Sequence, residues 1–379
     1  MNKYLKQLLS LTMILLFAAS CTQEEIEILN DRDISINNNQ EELSQRMTKT
    51  NDPIEIIGES RGRTNSSIKL TLRGQLAPPV VDGNILQATS IARRSSFFAV
   101  SYNFKGETYA GGIDLINDEL ELRSQMLFSD SDINDIGFNG NDLYFAGGTS
   151  SMNETAFVER ISMNPSRGVL TLQNQVRTGL GSFSANSVMH FRGSIYVTTG
   201  NDDRNGGGLY KLSRSLEEQD YSRIKDARWV TGWENSVVTA SGTPDRIRIY
   251  ETDGLNRTRE FEHNGVNEPE GKMTIDVDRN LVFVAGGTQG LLVYDIDGNF
   301  IAKHAFGNGA VTNAVAADGG KLFISNGEGG VHIATYDPFL EVIGKLDLPQ
   351  DQSVNHIVFF DNFLYVASGT GGVKMIEVE

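Results

Sequence analysis

The chain has 379 residues, 39% of them apolar, enough for a large core, and its 39 glycines against 8 prolines suit many tight turns. With 33 Lys and Arg against 49 Asp and Glu the net charge is -16, which repels phosphate backbones and argues against nucleic acid as a partner. A single cysteine, Cys21, excludes an internal disulfide and a thiolate metal cluster.

In chain order, residues 1–20 read as a cleaved signal peptide. Lys3 and Lys6 make the positive start, Leu8 to Phe17 an apolar stretch too short to span a bilayer, and Ala18-Ala19-Ser20 a run of small residues. The lone cysteine follows at once. Ala18-Ala19-Ser20-Cys21 resembles the lipobox of bacterial lipoproteins, with Ala18 where that family more often has Leu. The resemblance implies a diacylated Cys21 at the new amino terminus, an outer-membrane lipoprotein of the bacterial cell envelope, and a domain anchored to the membrane rather than spanning it. Thr22-Gln23-Glu24-Glu25 resembles the surface-export signal of Bacteroidetes-type lipoproteins; a plain acidic tether reads equally well, so surface and periplasmic placement both stay open.

Residues 21–65 are polar and acidic, with little apolar periodicity beyond Ile54 to Ile57. They are expected to form a flexible tether, whose 44 residues after Cys21 would reach roughly 35–40 Å as a coil.

Residues 66–379 repeat one unit. A short apolar strand closing in small residues begins at Phe98, Leu143, Ile195, Val237, Leu281, Leu322 and Leu364, at steps of 41 to 52 residues. The longest step holds the polar Asn201–Gly208, read as a loop insertion. Most copies precede a second clear strand, such as Gly290-Leu-Leu-Val-Tyr-Asp-Ile296, then a turn and a third. Four antiparallel strands per repeat of about 42 residues is the size of a propeller blade. The last repeat lacks its outer strand, and Ser67–Arg73 is a strand without a blade. The expected fold is therefore all-β: a seven-bladed β-propeller closed by an N-terminal strand completing the last blade. Six or eight blades follow if the first, weak around Thr108–Ile116, is misread. Leu281-Val-Phe-Val-Ala-Gly-Gly-Thr-Gln-Gly-Leu-Leu-Val-Tyr-Asp-Ile296 and Leu364–Val378 resemble the LVIVD-type repeat of bacterial surface propellers. That family implies a propeller, often extracellular, and offers no common catalytic residues.

The start of each first strand should open on one mouth of the central channel. Counting back nine residues from the second strand gives Thr89, Asn134, Asn186, Arg228, Asn313 and Asn355. In the fifth blade, whose turn is read as one residue longer, the match is Gly271 with Lys272 beside it. Amides offer donors and acceptors to a peptide or glycan, and Arg228 and Lys272 add charge for an anion. Asn at a strand start also bonds its own backbone in an Asx-turn, which would make the ring structural.

Other constellations are weaker. Asp130-Ser-Asp132-Ile-Asn134 has the alternation of a calcium loop but lacks its Gly and Glu. Glu270, in Glu268-Pro-Glu270-Gly271, matches a calcium carboxylate of phytase-like and esterase-like propellers, but the equivalent positions are mostly Asn, so no cofactor is expected beyond a weak calcium candidate there. His190, His263, His304, His332 and His356 have no metal spacing. Trp229 and Trp233 read as wedges between blades. The expected function is a non-enzymatic binding or assembly module for an unidentified protein, peptide or glycan; the alternative is a metal-dependent hydrolase at the channel mouth.

Overall fold

The structure, a computed structural model, describes residues 27–29, 32, 34–58, 68–106, 108–150, 155–200, 207–265, 271–307, 309–337, 339–346, 348 and 352–379. The signal peptide, Cys21, most of the Asn201–Gly208 insertion and Glu268 to Glu270 lie outside the described residues.

Seven antiparallel sheets form a seven-bladed propeller. The blades span Gln87–Phe128, Ser131–Leu180, Ala185–Arg223, Ala227–Glu262, Ile275–His304, Ala314–Leu346 and His356–Val378. Second strands such as Asp142–Thr149 and Leu281–Ala285 are buried on both faces, because each blade is packed between two others. Outer strands such as Arg257–Glu262 and Phe300–His304 are largely exposed.

The apolar core is a set of interfaces. Seven clusters of buried side chains sit one between each pair of neighbouring blades. The cluster joining Phe98 and Tyr102 of the first blade to Tyr365 and Met375 of the seventh closes the circle.

The ring is fastened by the strand Leu70–Leu76, which lies antiparallel on Val373–Val378 with Leu70 opposite Val378 and Leu76 opposite Val373. This is the closure expected from sequence, three residues further along than Ser67–Arg73.

The segment read as a tether behaves otherwise. Ile34–Asn37 pairs with the outer strand Leu122–Phe128 of the first blade, and Glu27–Leu29 pairs outside it. Met47–Ile54 pairs with the closing strand, and Ile56–Gly58 pairs with Glu341–Leu346 of the sixth blade. Between them a short helix, Gln40–Ser44, is capped by Asn39, whose side chain accepts from the Glu41 and Glu42 amides. Residues 34–58 are thus a belt across the rims of blades 1, 7 and 6. A strand of three or four residues needs only one or two inward apolar side chains when a finished sheet edge is there to receive it. Ile34 and Ile36 supply them here, both buried in the core between blades 1 and 2.

Charge pins the belt as well. Arg32 meets Glu159 at 3.0 Å and Asp130 at 3.3 Å, and Arg46 meets the fully buried Asp114 at 2.6 Å.

Candidate functional site at the channel mouth

Strand register puts Thr89, Asn134, Asn186, Arg228, Asn313 and Asn355 at one repeat position, as expected. In the first four blades this residue is the extra one of a β-bulge. A bulge turns the neighbouring carbonyl and amide out of the ladder, where another group can reach them.

The adjacent blade does so. Asn134 Nδ2 donates to the Ala185 carbonyl at 3.0 Å, Asn186 Nδ2 to Ala227 at 2.8 Å, Asn313 Nδ2 to Val354 at 3.5 Å and Asn355 Nδ2 to Ala88 at 3.0 Å. Thr89 Oγ1 donates to the Ile133 carbonyl at 2.7 Å. Each acceptor immediately precedes the ring residue of the next blade, and the Asn355 bond closes the circle. One residue on, the pattern reverses. Asp135 accepts from the Val188 amide at 2.8 Å, Thr274 from Val315 at 3.0 Å and His356 from Ile91 at 3.2 Å. The amide nitrogens are therefore bonded to the next blade's backbone, while Asn355 Oδ1 accepts from Ser353 of its own loop at 3.4 Å and Asn313 Oδ1 is buried with no partner among the described residues. Asn134 also donates to Ser184 and accepts from Asn103.

The fifth blade departs from the sequence reading. Its turn at Arg279–Asn280 has positive φ at both residues, the two-residue form also seen at Asp361–Asn362, so it holds no extra residue. Asp278 opposite Leu281 matches Phe360 opposite Phe363, which puts Met273, rather than Gly271, at the ring position. Lys272, one residue earlier, is released from the ring. Its Nζ crosses to the opposite wall and donates to the Asn134 carbonyl of the second blade. Arg228 stays at home, paired with Asp226 at 2.8 Å.

Lys272 crosses a filled centre. Its Nζ lies 5.5 Å from the Trp229 ring, and that ring packs at a tilt against His356, centroids 5.2 Å apart. Ser90 Oγ donates to Asp135 at 2.5 Å and lies 3.3 Å from His356 Nδ1. Burial lowers the Lys272 pKa to about 8 against the pull of Asp135. Burial also raises the Asp135 carboxyl, which Lys272 opposes, and holds His356 well below its usual range, with Lys272 adding to the effect. His356 Nδ1 already accepts an amide proton and Ser90 donates to a carboxylate, so neither is poised as base or nucleophile. These side chains plug the channel. Sequence reasoning missed Ser90, Asp135 and His356 as a group, although they follow three ring residues directly.

The remaining candidates separate. Asp130 faces Arg32 and Arg177, Asp132 accepts from the Phe104 and Ala110 amides, and Asn134 reaches the third blade, so the three oxygens of the suggested calcium loop diverge. Burial raises the Asp132 carboxyl to about 6. Trp229 and Trp233 both pack in the core between blades 4 and 5. Among the described residues no three His, Cys, Asp or Glu side chains gather as a metal site.

No family model and no curated protein matches the chain, so the LVIVD-type likeness stands on the quoted repeats alone. Solved structures do match. A chain from a crystal structure of the Mitotic Checkpoint Complex is 11% identical, covers 87% of this chain and 97% of its own length, and gives a TM-score of 0.59. The computationally designed Ika8 protein is 12% identical over 87% of this chain and 97% of its own, with a TM-score of 0.48. At such identities likeness shows the fold alone. A propeller of this kind fits a binding or assembly module in general.

Proposed function

We propose that the chain is an exported, lipid-anchored propeller that presents its loop faces as a binding or assembly platform for a protein, peptide or glycan of the bacterial envelope. One observation carries the platform reading. Most of the polar residues that converge on the channel mouth are spent on the fold, tying one blade to the next or plugging the centre, while Arg228 is paired with Asp226 of its own blade. What is left to offer a partner is the rim of loops. The anchor reading is supported by the signal-like residues 1–20 and the position of Cys21. No helix among the described residues is long and apolar enough to cross a membrane.

Labelled palmitate fed to an expressing bacterium should enter the wild-type protein and not Cys21→Ser, and the variant should leave the membrane fraction. Mild detergent extraction after cross-linking should bring down a discrete partner. A Cys21→Ser protein that still sediments with membranes would remove the anchor, and a wild type recovered alone at every cross-linker concentration would remove the platform.

A further inference from the structure

The last three blades share a loop plan, and one position in it is filled differently each time. Leu291 opposite Ala285, Val331 opposite Ser325 and Val373 opposite Ala367 align the third strands, so Leu292, His332 and Lys374 are equivalent. Leu292 is buried hydrocarbon. His332 is buried with Nδ1 2.7 Å from the Asn326 amide, and its ring lies 4.4 Å from Phe306. Lys374 is a cation only 2% exposed. Leucine in blade 5 shows that the fold does not need a charge at this place.

Burying an ammonium costs several kcal/mol unless an anion meets it. Lys374 Nζ donates to Gln352 Oε1 at 2.5 Å and to Ser368 Oγ at 3.3 Å, both neutral. Among the described residues no carboxylate lies within ion-pair distance of it. Burial alone depresses its pKa, to about 8. An ammonium has three donors, so one is left over among the described residues.

Lys374 lines a cleft between blades 6 and 7, open to the loop face. Lys345, from the outer strand of blade 6, lines it too. Gly330 makes room for that side chain: its φ is +82°, and a Cβ there would stand 2.9 Å from Lys345 Cε. Glu328, exposed at the tip of the blade 6 loop, also lines the cleft. The enclosed part holds about one water-sized group, which suits a single oxygen atom rather than a whole organic molecule.

We infer that the cleft between blades 6 and 7 is a seat for a carboxylate presented from outside, with one oxygen entering to take the spare donor of Lys374 and Lys345 adding the second positive charge. Glu328 is then the chain's own competitor for the seat. The inference gives a ligand chemistry to the proposed platform and rests on that reading for its use, but not on the anchor. The carboxylate could belong to a small free acid or to a glutamate of a partner.

The test uses the full-length protein in mild detergent at neutral pH, with chloride balancing ionic strength. Acetate should raise the melting temperature saturably in the wild type and leave Lys374→Met unmoved. That variant should fold, since blade 5 holds Leu at the position. Lys345→Met should weaken acetate about tenfold, and Glu328→Gln should strengthen it several-fold. A short peptide carrying Glu, against the same peptide with Gln, separates the sources. Selective binding well above acetate points to a partner's side chain, and parity with acetate points to a free acid. No saturable shift up to about 100 mM, or an equal shift in Lys374→Met, overturns the inference. So does a loss of stability, without an acetate response, in Glu328→Gln or in Asp351→Asn, Asp351 being the acid that precedes Gln352 in the sequence, because an acid of the chain would then neutralise Lys374. Failure here with a partner still captured on cross-linking would leave the platform standing.

Discussion

The ring of Asn134, Asn186, Asn313 and Asn355 illustrates how a repeated polar residue can be structural by bonding the next blade. Each amide reaches one blade onward. Asn186→Ala and Asn355→Ala should each cost about 1 kcal/mol and add when combined, because they lie in different interfaces. Urea unfolding reads this, and a ring held for a ligand would instead lose affinity with stability intact. The repeat spacing made the ring position legible in six blades. It failed in the fifth, where Leu281 was aligned with Leu322 although register pairs it with Lys321, and the destination of the amides depends on a strand more than forty residues away. Lys374 gives a pH signature. Its folded pKa, about 8, lies below the ordinary 10.5, so the unfolded chain holds the proton longer. Below pH 8 the penalty is complete; above 8 stability should climb as the folded state sheds the proton, until near pH 10 the tyrosines whose hydroxyls burial holds protonated, such as Tyr102 and Tyr250, turn the trend downward. Lys374→Met should gain about 3 kcal/mol at neutral pH and flatten much of the climb, the remainder belonging to Lys272. Bound carboxylate should flatten it too.

At the level of elements, the belt was the largest surprise. Its composition is acidic and polar, which describes its exposed side chains; its few inward ones are scattered too thinly to read as periodicity. Leu43, in a helix of five residues, is 1% exposed and packs with Leu76 and Met375. Leu43→Ala should therefore cost about 2–4 kcal/mol, a change that would be neutral in a tether. Denaturant unfolding decides it, and amide exchange in Ile34–Asn37 and Met47–Ile54 should be protected to the level of the blades they flank. The ionic clamp makes the same point. Glu159 is fully buried and answers to Arg32, two residues before the belt, and Arg177 from its own blade, the two cations 3.0 Å and 3.6 Å from it. Arg32→Ala should be worse than an ordinary surface change by about 2 kcal/mol or more, since it removes the nearer partner of a desolvated carboxylate. By contrast the blade strands were readable because both faces are buried, leaving runs such as Leu281 to Ala285 without polar interruption.

For the whole molecule, the belt changes what an anchor at Cys21 would do. Five residues, 22–26, separate that cysteine from the strand Glu27–Leu29. Fully extended they bridge about 20 Å, whereas the coil imagined for residues 22–65 reaches roughly twice as far. The leash also leaves from one side, because Glu27–Leu29 lies outside Ile34–Asn37 on the rim of the first blade. An anchored propeller would thus hang by that rim, close to the bilayer, with its two loop faces to the sides and the fifth blade far from the lipid. The chain has a single cysteine, which acylation would occupy, so a second one serves as a unique reporter. Gln40→Cys, on the belt beside blade 1, and Phe300→Cys, exposed on the outer strand of blade 5, can each carry a fluorophore on protein bound to vesicles containing an acceptor lipid. Energy transfer should be much stronger from position 40 than from position 300. Inserting a flexible Gly/Ser stretch of about forty residues directly after Thr22 should erase the difference without altering the melting temperature. Equal transfer from both positions in the uninserted protein would mean that the domain turns freely over the membrane, and a short leash on the first blade would be untenable.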